Sequence, residues 1–206
     1  MVELRKRRLP SSPVPARKRT QTKTPATSPK STKDTTPSAA ATTLKVGDVV
    51  NLEDFGGEIE TNDGTRTTLK ALVHDSKSGV VLFTYPKAST PGCTKQVCLF
   101  RDYYQKLTST GLSIYGLSTD SPKANTTFKT RQNLPYPLLC DTGSTMIGAI
   151  GFKKSPRGTA RGVFAIDKAG TVLILQPGGP EATLEAVRHL VVSTSKDNKS
   201  DKTDGT

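Results

Sequence analysis

The run Gly79–Pro86 (GVVLFTYP) is apolar at nearly every position and shows no polar alternation. A strand that hides every side chain must be covered on both faces, which in small proteins means a sheet layered between helices. A Pro- and Gly-bearing loop then leads into a predicted helix from about Gly92 to Leu107. On it Cys93, Val97, Phe100 and Tyr104 fall at i, i+4, i+7 and i+11, along one face.

The rest of the pattern continues the alternation. Leu112–Ser118 (LSIYGLS) reads as a second buried strand, followed by a helix beginning near Ser121-Pro122, where proline suits the first turn. A short helical piece is expected around Thr145–Ile150. Val163–Ile166 and Thr171–Leu175 form a hairpin around Asp167-Lys168-Ala169-Gly170. A helix over Pro180–Val191 closes the domain, with Ala182, Leu184, Val187, Leu190 and Val191 as its apolar positions. Upstream, the segments around Val49–Phe55 and Thr67–Leu72, joined across Asn62-Asp63-Gly64, read as an N-terminal β-hairpin. The order β-α-β-α-β-β-α with that added hairpin predicts an α/β, thioredoxin-like fold over residues 44–192. Its central mixed β-sheet is flanked by helices.

Residues 1–43 are different in kind. They contain no aromatic residue, and Ser, Thr, Pro, Ala, Lys and Arg dominate. Such a segment cannot bury enough apolar surface to offset the entropy of ordering, so it is expected to be a disordered basic tail. It carries ten Lys and Arg against Glu3 and Asp34, +8 of the chain's +12, so the folded part is close to balanced. Residues 193–206 (STSKDNKSDKTDGT) are equally polar and read as a short disordered C-terminal tail. No stretch approaches the roughly 20 apolar residues of a membrane span, and the start lacks a secretory pattern. The expectation is a soluble intracellular protein.

Three cysteines do not make a disulfide scaffold. Cys93 falls in the first turn of its helix, where orphan N–H groups and the helix dipole stabilise a thiolate. An exposed thiolate of this kind is the reactive form of cysteine. Arg161 is the expected cation beside it, with Arg157 as a substitute. The Thr90 hydroxyl, the Cys93 backbone N–H and the guanidinium are the groups available to steady a leaving oxyanion. Thr90 could equally be a helix cap. Zinc is disfavoured, because Cys93-x4-Cys98 lacks a second ligand pair and only His74 and His189 are present.

Pro86-Lys87-Ala88-Ser89-Thr90-Pro91-Gly92-Cys93 fits P-x-x-x-T-x-x-C and, with Cys98 at x4, resembles the Q-type peroxiredoxins, also called bacterioferritin comigratory proteins. The likeness spans about residues 46–191 and includes Asn133–Asp141 (NLPYPLLCD) and Arg161–Asp167 (RGVFAID). With the basic tail, it points to fungal nuclear members. The resemblance implies that Cys93 is the peroxidatic cysteine, Cys98 the resolving one, and Thr90 a hydrogen-bond partner of the substrate. It further implies that Pro86 shields the site and that Arg161 stabilises thiolate and transition state. Peroxides are then the substrates, thioredoxin the reductant, and the protein a monomer without metal or organic cofactor. Cys140 stands where the family usually has Ser and is read as inert packing. Five helical residues leave Cys93 and Cys98 about 140° apart around the axis and too distant for a disulfide, so the helix is expected to unwind during resolution.

Lys6-Arg7-Arg8 and Arg17-Lys18-Arg19 resemble a split nuclear localisation signal, implying an import receptor as partner and a nuclear location, with some protein in the cytoplasm. The same charge allows non-specific DNA contact. The rival reading is a chromatin- or DNA-associated binding protein with the thioredoxin-like domain as scaffold. A disulfide oxidoreductase is weakened by the absence of C-x-x-C.

Overall fold

The computed structural model of the chain describes residues 44–156 and 158–200. The basic tail over 1–43, Arg157 and residues 201–206 lie outside the described residues. Seven strands, β1 (Glu58–Thr61), β2 (Arg66–Thr68), β3 (Gly79–Thr84), β4 (Leu112–Ser118), β5 (Leu138–Cys140), β6 (Gly162–Asp167) and β7 (Val172–Pro177), form one sheet. The helices are α1 (Leu69–Asp75), α2 (Pro91–Asp102), α3 (Tyr104–Leu107), α4 (Pro122–Gln132), α5 (Thr145–Ala149) and α6 (Pro180–Ser200).

The sheet order is β2-β1-β5-β4-β3-β6-β7, with β3, β4 and β5 parallel and the remaining pairs antiparallel. All six residues of β3 are buried, as its sequence requires of a strand with neighbours on both sides and helices on both faces. Its alternation sorts the core. Val81 and Phe83 face a cluster built with Val97 and Phe100 of α2, Phe128 of α4, and Leu184 and Val187 of α6. Val80 and Leu82 face Leu69, Leu72 and Val73 of α1 together with Met146 and Ile147 of α5. This is the α/β, thioredoxin-like arrangement that the order of elements predicts. None of the described helices is long and apolar enough to cross a membrane.

Five local expectations are corrected. Asn62-Asp63-Gly64 does make the N-terminal turn, but its strands are Glu58–Thr61 and Arg66–Thr68. Val49 and Val50 are extended, yet they join the far edge of the sheet: Val50 N donates to Gly170 O at 2.8 Å, and Val49 bridges Thr171. Leu69–Leu72 begins a helix instead of a strand, because Thr68 caps it by accepting from Ala71 N and Leu69, Leu72 and Val73 share one buried face. The helix over Gly92–Leu107 is distorted at Tyr103, whose φ of −99° and ψ of 3° separate α2 from α3. Tyr103 lies beneath the Arg188 guanidinium, 5.1 Å from the ring centroid. Finally, α6 runs on to Ser200, past the expected start of the polar tail at 193. The Ser193, Thr194 and Ser195 hydroxyls bond back to the Leu190 and Val191 carbonyls along this added length.

Candidate active site

The strand register brings the key residues together. Thr84 ends β3 opposite Gly162, which begins β6, so Arg161 emerges where β3 hands over to the loop before α2. Thr84 Oγ1 donates to the Ala160 carbonyl at 2.8 Å and pins that crossing. Beyond it the chain runs through Tyr85–Thr90 and enters α2 at Pro91.

Cys93 lies in the first turn of α2 and is buried, with 1% exposure, where an exposed thiol was expected. Arg161 Nη2 donates toward its Sγ at 3.5 Å. Nη1 of the same guanidinium donates to Gly92 O at 3.0 Å and to Gln96 Oε1 at 2.7 Å. Both Nη1 hydrogens are thereby used, which turns the Nη2 edge toward the sulfur. Gly92 is needed for this approach. A Cβ there would stand 3.1 Å from Nη2, so any side chain pushes the guanidinium back.

Thr90 is the residue before the helix but does not cap it with its side chain. Its hydroxyl donates instead to Lys87 O at 3.0 Å, leaving the oxygen as an acceptor at the mouth of α2. Uncapped, the Gly92 and Cys93 N–H groups have no intrahelical acceptor. Ser89 holds a φ of 62°, a left-handed conformation rare for a non-glycine residue. Asp120, from the loop after β4, accepts from Ala88 N at 2.7 Å and fixes this loop from outside. Pro86 is exposed, on the same loop. Cys98, half-buried, is on α2 but not beside Cys93; its Sγ is 3.5 Å from Gln132 Oε1 on α4. All three cysteines are free thiols.

Sequence reasoning missed Gln96, Thr183 and Asp120. Gln96 had a readable signal: a polar residue on the apolar face of α2, three after Cys93, and fully buried. Its Nε2 donates to Thr183 Oγ1 at 3.1 Å. Cys140 is buried on β5, and burial pushes its thiol above the ordinary value, against the opposing effect of Asn125 Nδ2 at 3.2 Å. His74, expected in a polar loop, is in the last turn of α1, far from these groups in the chain and exposed.

The Arg161 guanidinium stands beside the Cys93 thiol at the uncapped N-terminus of α2, and the residue that precedes this helix, Thr90, carries an acceptor hydroxyl. That set can hold a small dioxygen species against sulfur and receive the charge that leaves.

Comparison with known proteins adds to this. The AhpC/TSA family model matches residues 46–174. Peroxiredoxin bcp1 of Schizosaccharomyces pombe is 43% identical over 113 residues, covering 55% of this chain and 55% of that protein's length. A putative peroxiredoxin bcp of Coxiella burnetii is 40% identical over 105 residues, 48% of this chain and 70% of the other. Among solved structures, peroxidoxin BcpB of Mycobacterium tuberculosis matches with a TM-score of 0.62 at 32% identity, over 75% of this chain and 97% of that one. A PrxQ mutant of Xylella fastidiosa shares the fold, with a TM-score of 0.65 at 22% identity, over 73% of this chain and 97% of that one.

Proposed function

This chain belongs to the AhpC/TSA family, beside peroxiredoxins of the bcp and Q type, and on that premise we propose that it is a thiol peroxidase acting through Cys93. The observation that carries the reading is the Arg161 guanidinium held 3.5 Å from Cys93 Sγ by two other acceptors.

The reaction follows from the groups present. The Cys93 thiolate attacks one peroxide oxygen, the O–O bond breaks, and the second oxygen leaves with the electron pair. That oxygen takes a proton and departs as water or an alcohol, while Cys93 becomes a sulfenic acid. Thr90 Oγ1, its own proton committed to Lys87, accepts from the peroxide O–H. The remaining Nη2 hydrogen of Arg161 and the Cys93 N–H stabilise charge on the departing oxygen. Pro86, exposed on the loop that leads into α2, is assigned the role of limiting water at the thiol. Hydrogen peroxide and organic hydroperoxides both fit this chemistry.

The second step joins Cys98 to the sulfenic acid, forming a disulfide and releasing water. An intact α2 forbids it, since five residues rise about 7.5 Å along the axis and turn the side chains about 140° apart. The first turns of α2 therefore unwind before the disulfide closes. A thioredoxin-type dithiol then exchanges with it and restores both thiols. The two basic clusters, Lys6-Arg7-Arg8 and Arg17-Lys18-Arg19, support delivery to the nucleus by an import receptor.

The test is single-turnover thiol loss after adding hydrogen peroxide to the reduced protein. Two thiols lost in the wild type, one in Cys98→Ser and none in Cys93→Ser is the expected result. Slow loss in all three overturns the reading.

A further inference from the structure

Arg161 can aim at the sulfur only if something other than the sulfur holds its guanidinium. The Gly92 carbonyl is one such acceptor and, being backbone, cannot change its polarity. Gln96 is the other, and an amide has a donor end as well as an acceptor end. One flip of Gln96 serves Arg161 at 2.7 Å; the other sets N–H against N–H.

The choice between flips is made one residue further out. Gln96 and Thr183 are both fully buried, so neither can turn to water for a partner. Thr183 Oγ1 donates its single proton to the Pro180 carbonyl at 2.8 Å, in the first turn of α6. A hydroxyl so committed can only accept, which demands the Nε2 end of Gln96 at 3.1 Å. The Oε1 end must then face Arg161. Directionality therefore passes from a helix carbonyl through Thr183 and Gln96 to the guanidinium, and from there to Cys93.

We infer that Thr183 is a positioning residue of this site, setting the amide orientation of Gln96 so that Arg161 presents Nη2 to Cys93. The inference rests on the thiol peroxidase reading for its kinetic meaning. It is distinct from packing, because it depends on the polarity of the Thr183 oxygen and not on the volume of the side chain.

Valine at 183 keeps the shape and deletes the hydroxyl; serine keeps the hydroxyl and deletes a methyl. Thr183→Val is expected to slow peroxide-driven loss of the Cys93 thiol about tenfold, the worth of one misdirected buried hydrogen bond, with Thr183→Ser within about twofold of the wild type. The decisive arm uses Gln96→Glu, since a carboxylate has no donor end and cannot be misdirected. Adding Thr183→Val to that background is expected to cost less than about twofold more. An equal loss in both backgrounds means packing alone, and overturns the inference. So does a Thr183→Val protein that reacts at the wild-type rate. If the valine variant does not fold, Thr183→Ala against Thr183→Ser makes the same comparison, both lacking the methyl. Iodoacetamide alkylation of Cys93 as a function of pH is followed in every variant. A wild type inert to peroxide removes the peroxidase reading, while a Thr183-dependent alkylation profile still sustains the positioning role and an invariant one removes it.

Discussion

At Gly92 the site depends on the absence of a side chain. Gly92 contributes only backbone groups, its carbonyl accepting from Arg161 Nη1, yet the space above its Cα is where Arg161 Nη2 sits. Gly92→Ala improves helix propensity and displaces the guanidinium by a few tenths of an ångström. The expected outcome is an unchanged or slightly raised unfolding midpoint with peroxide-driven thiol loss slowed about tenfold, since a small misplacement near the reacting atoms is costly. A Gly92→Ala protein as fast as the wild type shows that the guanidinium need not stand so close. Cys140 gives the opposite case. Burial raises its thiol above the ordinary value, so at neutral pH it stays protonated and packed behind Asn125. It is expected to alkylate slowly until the protein unfolds, and Cys140→Ser is expected to leave the number of thiols lost to peroxide unchanged. Much of this scale is legible in the sequence. Cys93, Thr90 and Arg161 stand out through spacing and the chemistry of their side chains; the structure sets Arg161 Nη2 3.5 Å from Cys93 Sγ and Thr90 at the start of the same helix. Gln96 shows only as a polar residue on an apolar helix face, and Thr183 not at all, because what a buried polar side chain does is hidden until its partner, 87 residues away, is known.

Among the elements, α2 has two halves with different attachments. Its first half is held through Gln96 and an ion pair from Lys95 to Glu181 of α6. Its second half is tied toward α4 and the segment after it: Tyr136 Oη donates to Val97 O at 2.7 Å, and Arg101 Nη1 donates to Gln132 O at 2.8 Å. Unwinding between Cys93 and Cys98 must loosen the Val97 contact. Tyr136→Phe removes that donor and is expected to cost about 1 kcal/mol of stability while speeding disulfide closure several-fold. Stopped-flow measurement of the second phase checks this, and an unchanged rate in a destabilised protein refutes it. The strands β3, β4, β6 and β7 and the helices α4 and α5 can be read from periodicity and capping residues. The strand β5 escapes because three residues between Pro137 and Asp141 are too few to show a period. Val49–Val50 escapes differently. Its β-branched residues announce an extended segment, but the choice of Gly170–Val172 as partner is a tertiary matter that no local pattern encodes.

Taken as a whole, the molecule is pinned on one side of its sheet by two fully buried tyrosines, Tyr85 and Tyr136, which pack around Phe83. Burial raises both hydroxyls well above the ordinary value. In the unfolded chain they ionise near pH 10, so they favour the folded state in full below that pH. Above it the unfolded state sheds protons that the folded state keeps, and stability falls as pH rises, by about 1.4 kcal/mol per unit for each tyrosine. Urea midpoints between pH 9 and pH 11 are expected to drop steeply, and less steeply in Tyr136→Phe; equal slopes would contradict the assignment. The sheet order has a further consequence for how the protein is made. The central strand β3 takes one neighbour, β4, from the chain that follows it and the other, β6, from much later. Cys93 leaves the ribosome 68 residues ahead of the arginine that completes its site. A nascent chain therefore carries its nucleophile without its guanidinium, on a half-built sheet with one bare edge. On the thiol peroxidase reading proposed above, the nucleophile acquires its guanidinium only when β6 docks, and full reactivity toward peroxide is expected of the completed sheet alone.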